Sequence, residues 1–300
     1  MIREDWLEVA GLIHSSTNAW YESHGMGKIF NCTPEETQLF CQVYEDLDPG
    51  CCWLAVCKES QEIAGSCFFH PRQTHVSLGI MNVHPHYFGN GIARQLLKRI
   101  IDFSEERNLP LKLVSSALNL DSFSLYSKSG FVPQTIYQDL IVKVPEEGLR
   151  IDVSGSENVR PAQLSDVDKI VDLEFRLTGL KRYKDYKYFI ENSLSIWTTF
   201  VYEREGEIHG VLSSVRHPAS HMIGPGVAEN HEVMMPLIAR CIEKFKNTSV
   251  VFLLPANEHD AIQQAYKWGA KNCEIHFAQI RGEMSLAQGI FMPTFMPETS

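Results

Sequence analysis

The stretch with the clearest chemical promise is NVHPHYFGNGIARQLLKRIIDF at 82–103, where Gly89 and Gly91 separate a strand-like run from an amphipathic helical one. At the start of a helix several backbone N–H groups lack partners inside the helix, and the peptide dipoles add positive potential. Small residues there let a phosphate approach the backbone, so an anion can be held without a basic side chain. The same two glycines would also serve a tight turn that binds nothing. A P-loop would follow its glycine with Lys and Ser or Thr. A dinucleotide fingerprint would add a third small residue and an acid about 20 positions on, and neither pattern fits as well.

A second group lies downstream, where Ser115-Ser116-Ala117-Leu118-Asn119 leads into Leu125-Tyr126-Ser127-Lys128-Ser129-Gly130-Phe131. Gly130 is a suitable helix terminator. A phenol with a pKa of about 10 can donate a proton at neutral pH. A lone tyrosine can equally pack against a sheet with its hydroxyl bonded locally.

Taken together, the two strings resemble the GCN5-related N-acetyltransferase (GNAT) family. Its acetyl-CoA motif is written as Arg or Gln, two residues, Gly, one residue, then Gly or Ala, and Gly91 and Ala93 match, preceded by Val83 and Pro85. The Arg or Gln falls on Phe88, so phosphate contacts must lean on backbone groups. The later family motif has Asn seven residues before Tyr and closes on Tyr-x-x-x-Gly-Phe, which fits Asn119, Tyr126, Gly130 and Phe131. The resemblance implies a cofactor site formed by Met81, Val83, Phe88, Gly89, Asn90, Gly91, Ile92, Ala93, Arg94, Asn119 and Tyr126. In it, Asn119 would bond the cofactor or its neighbouring backbone, and Tyr126 would protonate the departing CoA thiolate.

An amine acceptor must lose a proton as it attacks a thioester. Many family members carry a Glu on the strand before the glycine turn, and that position is Ser77 here. His70 and His75, at neighbouring strand ends, are the alternative bases, although a turn histidine is also often solvated or locally bonded. His84 and His86 would only shape the turn. Trp20, Tyr21 and Phe30, around His24-Gly25-Met26-Gly27, fit either a mobile acceptor wall or core packing. The Cys51-Cys52 pair would suit an acyl-cysteine route, but no His/Asn arrangement supports one, so direct transfer is preferred.

These residues need strands and helices to position them. Helical spacing predicts a helix over 5–21, and Thr33-Pro34-Glu35-Glu36 reads as a capping box opening a helix to about 46. Apolar runs at 52–57 and 63–69 flank a polar 58–62 connection as a hairpin. A strand at 75–83, a helix at 91–107, a strand at 111–115, a helix at 122–129 and a strand within 137–144 follow. The pattern lapses around 145–157 into Gly, Ser and acids, a linker composition.

The second half echoes the first. Ser165 with Asp168 caps another helix, a long helical segment runs to about 245 with Pro236 interrupting its pattern, a strand follows at 250–254, and Asn257 precedes a short helix ending at Gly269. Its segment 224–230 stands where the glycine turn would be, but lacks the phosphate motif, and Glu229 could satisfy the helix end internally. Ala265-Tyr266-Lys267-Trp268 only loosely resembles the tyrosine helix. The last apolar and proline-rich residues, GIFMPTFMPE, would add a strand or cover an acceptor cleft.

The expected architecture is therefore α/β (α+β): two GNAT-like units in tandem, each a mostly antiparallel sheet flanked by helices. Residues 1–148 form the unit with the acyl-CoA motif, 149–157 a linker, and 158–300 a diverged unit without its own catalysis. With 44% hydrophobic and 21% charged residues, the chain has the composition of a globular protein. The net charge of −10 is shared by both halves and offers no concentrated basic face, which argues against nucleic acid. Eight cysteines without a CxxC pair or a ligand-spaced Cys/His array read as reduced thiols, with no metal expected. No apolar run of about 18 residues and no basic leader occurs, so a cytoplasmic protein is expected. The expected partners are acetyl-CoA and a small amine acceptor, with no membrane, in a monomer or homodimer. A non-catalytic acyl-CoA sensor is the alternative.

Overall fold

A computed structural model describes residues 1–285 and 287–295. The helices are α1 (Trp6–Ser23), α2 (Gln38–Leu47), α3 (Ile92–Glu105), α4 (Leu120–Lys128), α5 (Val167–Thr178), α6 (Tyr183–Glu191), α7 (His231–Ile242) and α8 (His259–Lys267). The strands of the first half are β1 (Cys52–Val56), β2 (Ile63–Pro71), β3 (Val76–Val83), β4 (Leu111–Ser116) and β5 (Val132–Val144). Those of the second are β6 (Val159–Pro161), β7 (Trp197–Arg204), β8 (Glu207–His217), β9 (Ser220–Ala228), β10 (Thr248–Pro255), β11 (Lys271–Arg281) and β12 (Ile290–Met292). The α/β expectation holds. Among the described residues no helix is long and apolar enough to cross a membrane.

By backbone contact the chain forms two compact units. The first contains 1–71, 75–113 and 295, and the second contains 72–74, 114–285 and 287–294. The division falls inside β4, and residues 149–157 lie within the second unit.

In the first unit β1, β2 and β3 form an antiparallel meander. The start of β4 runs parallel to β3 through only two residue pairs, Val76↔Leu111 and Ser77↔Lys112. Helix α3 buries Leu96, Leu97, Ile100 and Ser104, the 3.6-residue spacing of an amphipathic face. Its first turn lies close over β2. A Cβ on Gly65 would stand 2.9 Å from Ile92 Cγ2, so only glycine allows this approach. The capping box at Thr33 forms, with Thr33 N–H donating to Glu36 Oε2 at 2.7 Å. Residues 34–37 nonetheless make a turn rather than α-helix, and α2 begins at Gln38.

In the second unit the strand order is β11-β5-β10-β9-β8-β7-β6, with the end of β4 beside β11 and β12 beside β9. β5 is longer than the predicted strand because β11 pairs with its 132–141 part and β10 with its 137–144 part. Helix α7 runs through Pro236, correcting the expected interruption. Pro236 is itself buried, as are the helix residues on either side of it from Val233 to Ala239. A charged cluster is buried between α5 and α6. Glu174 Oε1 accepts from Arg182 Nε at 2.9 Å and from the Tyr186 hydroxyl at 2.7 Å, and all three residues are inaccessible to solvent.

Candidate active site

The glycine turn is built by conformations that glycine alone adopts cheaply. Gly89 has φ +80° and Gly91 φ +74°, both left-handed, and Gly91 is the residue that caps α3. Before them Pro85–Tyr87 winds into a single 3₁₀ turn, and His84 Nδ1 accepts the His86 N–H at 3.3 Å. His84 and His86 thus shape the turn.

Among the described residues no side chain caps α3, and its first intrahelical bond is Gln95 N–H to Gly91 O at 3.1 Å. The preceding N–H groups, from Ile92, Ala93 and Arg94, therefore open at a helix start without an intrahelical acceptor. Gly89 would meet nothing within 4 Å if it carried a Cβ, so the approach to these groups is open. The Arg94 guanidinium folds back to within 3.8 Å of the Cβ position of Gly91 and has no ion pair among the described residues. Phe88 is exposed beside them. A cationic side chain is thus available at the turn, three residues after the glycine rather than three before it.

Met81 and Val83 lead into the turn along β3. His84 N–H bonds Ala64 O, so alternation turns the N–H groups of Met81 and Val83 away from β2. They face the edge along which the β3–β4 ladder extends only as far as Ser77. An extended amide chain bound there would meet backbone groups in the manner of an added strand.

The two candidate bases occupy the other end of β3, six residues from Val83 at Ser77, or about 20 Å of strand. His70 pairs across from Ser77, is fully buried, and its Nδ1–H donates to Asp48 Oδ2 at 2.7 Å. Its ring packs on Gly79, where a Cβ would come within 2.7 Å of Nε2. His75 is also fully buried, so neither is a solvated turn residue. Asp48 was not singled out from sequence; it ends α2 at a break that read only as a turn.

Of the aromatic residues near 20–30, Phe30 is core. It packs on Phe40, and its backbone is held at both polar atoms by Asn18 at 2.9 Å. Trp20 stacks on His24 and against Tyr21 at a half-exposed helix end. All eight cysteines are free thiols. Burial pushes Cys52 far up, which removes the nucleophilic form that an acyl-cysteine route would need.

Asn119 and Tyr126 lie in the second compact unit, on α4. Asn119 caps that helix, its Oδ1 accepting the Ser122 N–H at 3.0 Å. Tyr126 is buried, with its ring 5.8 Å from that of Phe131.

The corresponding features of the second half are built differently. β9 and β10 also pair in parallel through two residues, Met222↔Val251 and Ile223↔Phe252. Beyond that point the edge of β9 is covered by β12, with Ile290↔Ala228, Phe291↔Val227 and Met292↔Gly226. So Ile290–Met292 of the apolar tail adds a strand, and the part beyond 295 lies outside the described residues. The segment 224–228 is strand rather than turn, and the start of α7 is capped by Asn230 Oδ1, which accepts Val233 N–H at 3.1 Å. Glu229 is not the cap. Burial opposes its charge, but hydrogen bonds from Arg176 and His209 hold its carboxyl below the usual range.

Residues 17–131 match the Acetyltransferase (GNAT) family, and residues 170–287 match an Acetyltransferase (GNAT) domain. The chain belongs to the GNAT family, as a tandem member. It resembles in fold a putative acetyltransferase from Pyrococcus horikoshii, at 15% identity and a TM-score of 0.73 over 93% of this chain and 86% of that one. A GCN5-related N-acetyltransferase from Sphaerobacter thermophilus matches at 14% identity and TM-score 0.64, covering 96% of each chain. A tandem GNAT protein from the clavulanic acid biosynthesis pathway matches at 11% and TM-score 0.57, over 92% of this chain and 94% of that one. No curated protein sequence matches the chain.

Proposed function

We propose that this protein moves an acetyl group from acetyl-CoA to an amine of a small acceptor, by direct transfer, using the glycine turn of its N-terminal half. GNAT membership supports acyl transfer from an acyl-CoA. The observation that carries the finer reading is the uncapped start of α3 behind two left-handed glycines, compared with the self-capped start of α7. An open helix start with Arg94 beside it suits a pyrophosphate, while the edge at Met81 and Val83 suits an amide-bearing arm. The second half has its helix start capped and its strand edge covered. Isothermal titration with acetyl-CoA is therefore expected to give one site per chain, and two equal sites would refute the assignment.

In this reaction the amine nitrogen attacks the thioester carbonyl carbon, the C–S bond breaks, and the thiolate takes a proton. Tyr126 supplies that proton. The amine's proton passes toward His70, whose Asp48 partner fixes its tautomer and orientation. Because His70 is fully buried, that transfer runs through an intervening donor rather than by direct contact with the acceptor. A second reading, acyl-CoA binding without transfer, is favoured by Phe88 at the Arg/Gln position and by the absence of a carboxylate at Ser77. Tyr126→Phe separates the two. Turnover on an amine panel should fall about 10²- to 10⁴-fold, the usual range for one proton donor, with acetyl-CoA affinity nearly unchanged. Equal turnover in the variant would remove the assigned role.

A further inference from the structure

A set of metal-type donors forms in the second unit from strands distant in sequence. β5 and β11 pair antiparallel with Asp139 opposite Glu274 and Tyr137 opposite His276. Opposed residues share a face, and so do residues two apart, so Asp139, Glu274 and His276 project together. Their donor atoms all lie within 4.8 Å of one another. A point central to such a triangle is within about 2.8 Å of every corner, and small side-chain rotations close that to the zinc–ligand range of about 2.0–2.2 Å.

We propose that Asp139, Glu274 and His276 form a site for a divalent transition-metal ion of the zinc class. Two oxygens and one imidazole nitrogen suit such an ion better than calcium, which takes six or more oxygens, or copper(I), which takes sulfur. Three protein ligands leave a fourth position for water. The surroundings are those of a built site. Asp139 is 3% and His276 6% exposed, and Glu274 is half-buried with the Ser116 hydroxyl donating to its Oε1. The Cys273 thiol donates to Asp139 O at 3.4 Å, fixing the strand beside the carboxylate. His276 Nδ1 lies 3.0 Å from Asp139 Oδ1, so two of the three donors already face one another.

The test uses the full chain, stripped with a chelator and titrated with ZnCl2, with bound metal counted after gel filtration by mass spectrometry. One retained zinc per chain is expected, with the equilibrium affinity reduced at least about 10-fold in Glu274→Gln and further in His276→Ala, in proteins with unchanged circular dichroism. Glu274 is the least buried of the three, so its variant keeps the test valid if His276→Ala does not fold. CoCl2 should give the visible absorption of a four- or five-coordinate ion, and lose it in Glu274→Gln. Failure of the wild-type chain to retain zinc would overturn the proposal. So would binding equal in wild type and Glu274→Gln, which would assign the metal to surface thiols and histidines.

Discussion

Gly91→Trp is expected to abolish measurable acetyl-CoA binding while leaving the chain folded. Two effects act in the same direction. The residue sits at φ +74°, where a side chain costs roughly 1–3 kcal/mol of backbone strain, so the turn tends to rearrange. An indole at the helix cap also stands before the N–H groups that would face the pyrophosphate. Together these should raise Kd at least about 100-fold, or ~2.7 kcal/mol. Titration calorimetry on a variant with unchanged circular dichroism is the measurement, and Gly89→Ala is the control. No atom lies within 4 Å of a Cβ at Gly89, so that variant carries strain without obstruction and should lose much less affinity. If Gly91→Trp bound acetyl-CoA as tightly as the wild type, the turn would not be the phosphate site.

The largest stability effect should follow from removing a buried carboxylate of the second unit. Glu174→Ala takes the acceptor from Arg182 and Tyr186 in a region with no solvent access. Breaking a buried pair on one side costs about 3–5 kcal/mol, because the Arg182 charge stays buried after the Glu174 carboxylate is gone. Denaturant unfolding should show this as a lower midpoint. The double variant Glu174→Leu with Arg182→Met removes both charges and should recover most of the loss, since an apolar replacement of similar volume is often neutral. A double variant as unstable as Glu174→Ala would mean that packing, not charge, dominates there.

Local signals carried most of the architecture. Periodicity placed α1, α3, the β1–β2 hairpin and β3 within a few residues, because each is decided by its own alternation and by strong breakers such as Pro49-Gly50. The glycine turn was legible for the same reason. What escaped were features set by another part of the chain. The full length of β5 depends on β10 and β11, more than a hundred residues away. Pro236 sits inside α7 on a stretch, 233–239, that is buried throughout, and that burial is set by the rest of the unit rather than by local sequence. Among site residues, Asp48 is defined by a histidine 22 positions later, and His276 by an aspartate 137 positions earlier. Gly65 and Gly79 carry no local mark of the helix and the imidazole they accommodate.

The pairing of β5 also sets a timetable. Synthesis delivers this strand early, but both of its neighbours come from after residue 247. While the ribosome makes the intervening hundred residues, an apolar strand with two open edges waits for partners, the condition under which strands pair wrongly with other chains. A separately expressed N-terminal fragment would stay in that state indefinitely. The two acetyltransferase-like halves are therefore tied together by the order of manufacture, and cutting the chain at 148 would leave neither half with a complete sheet.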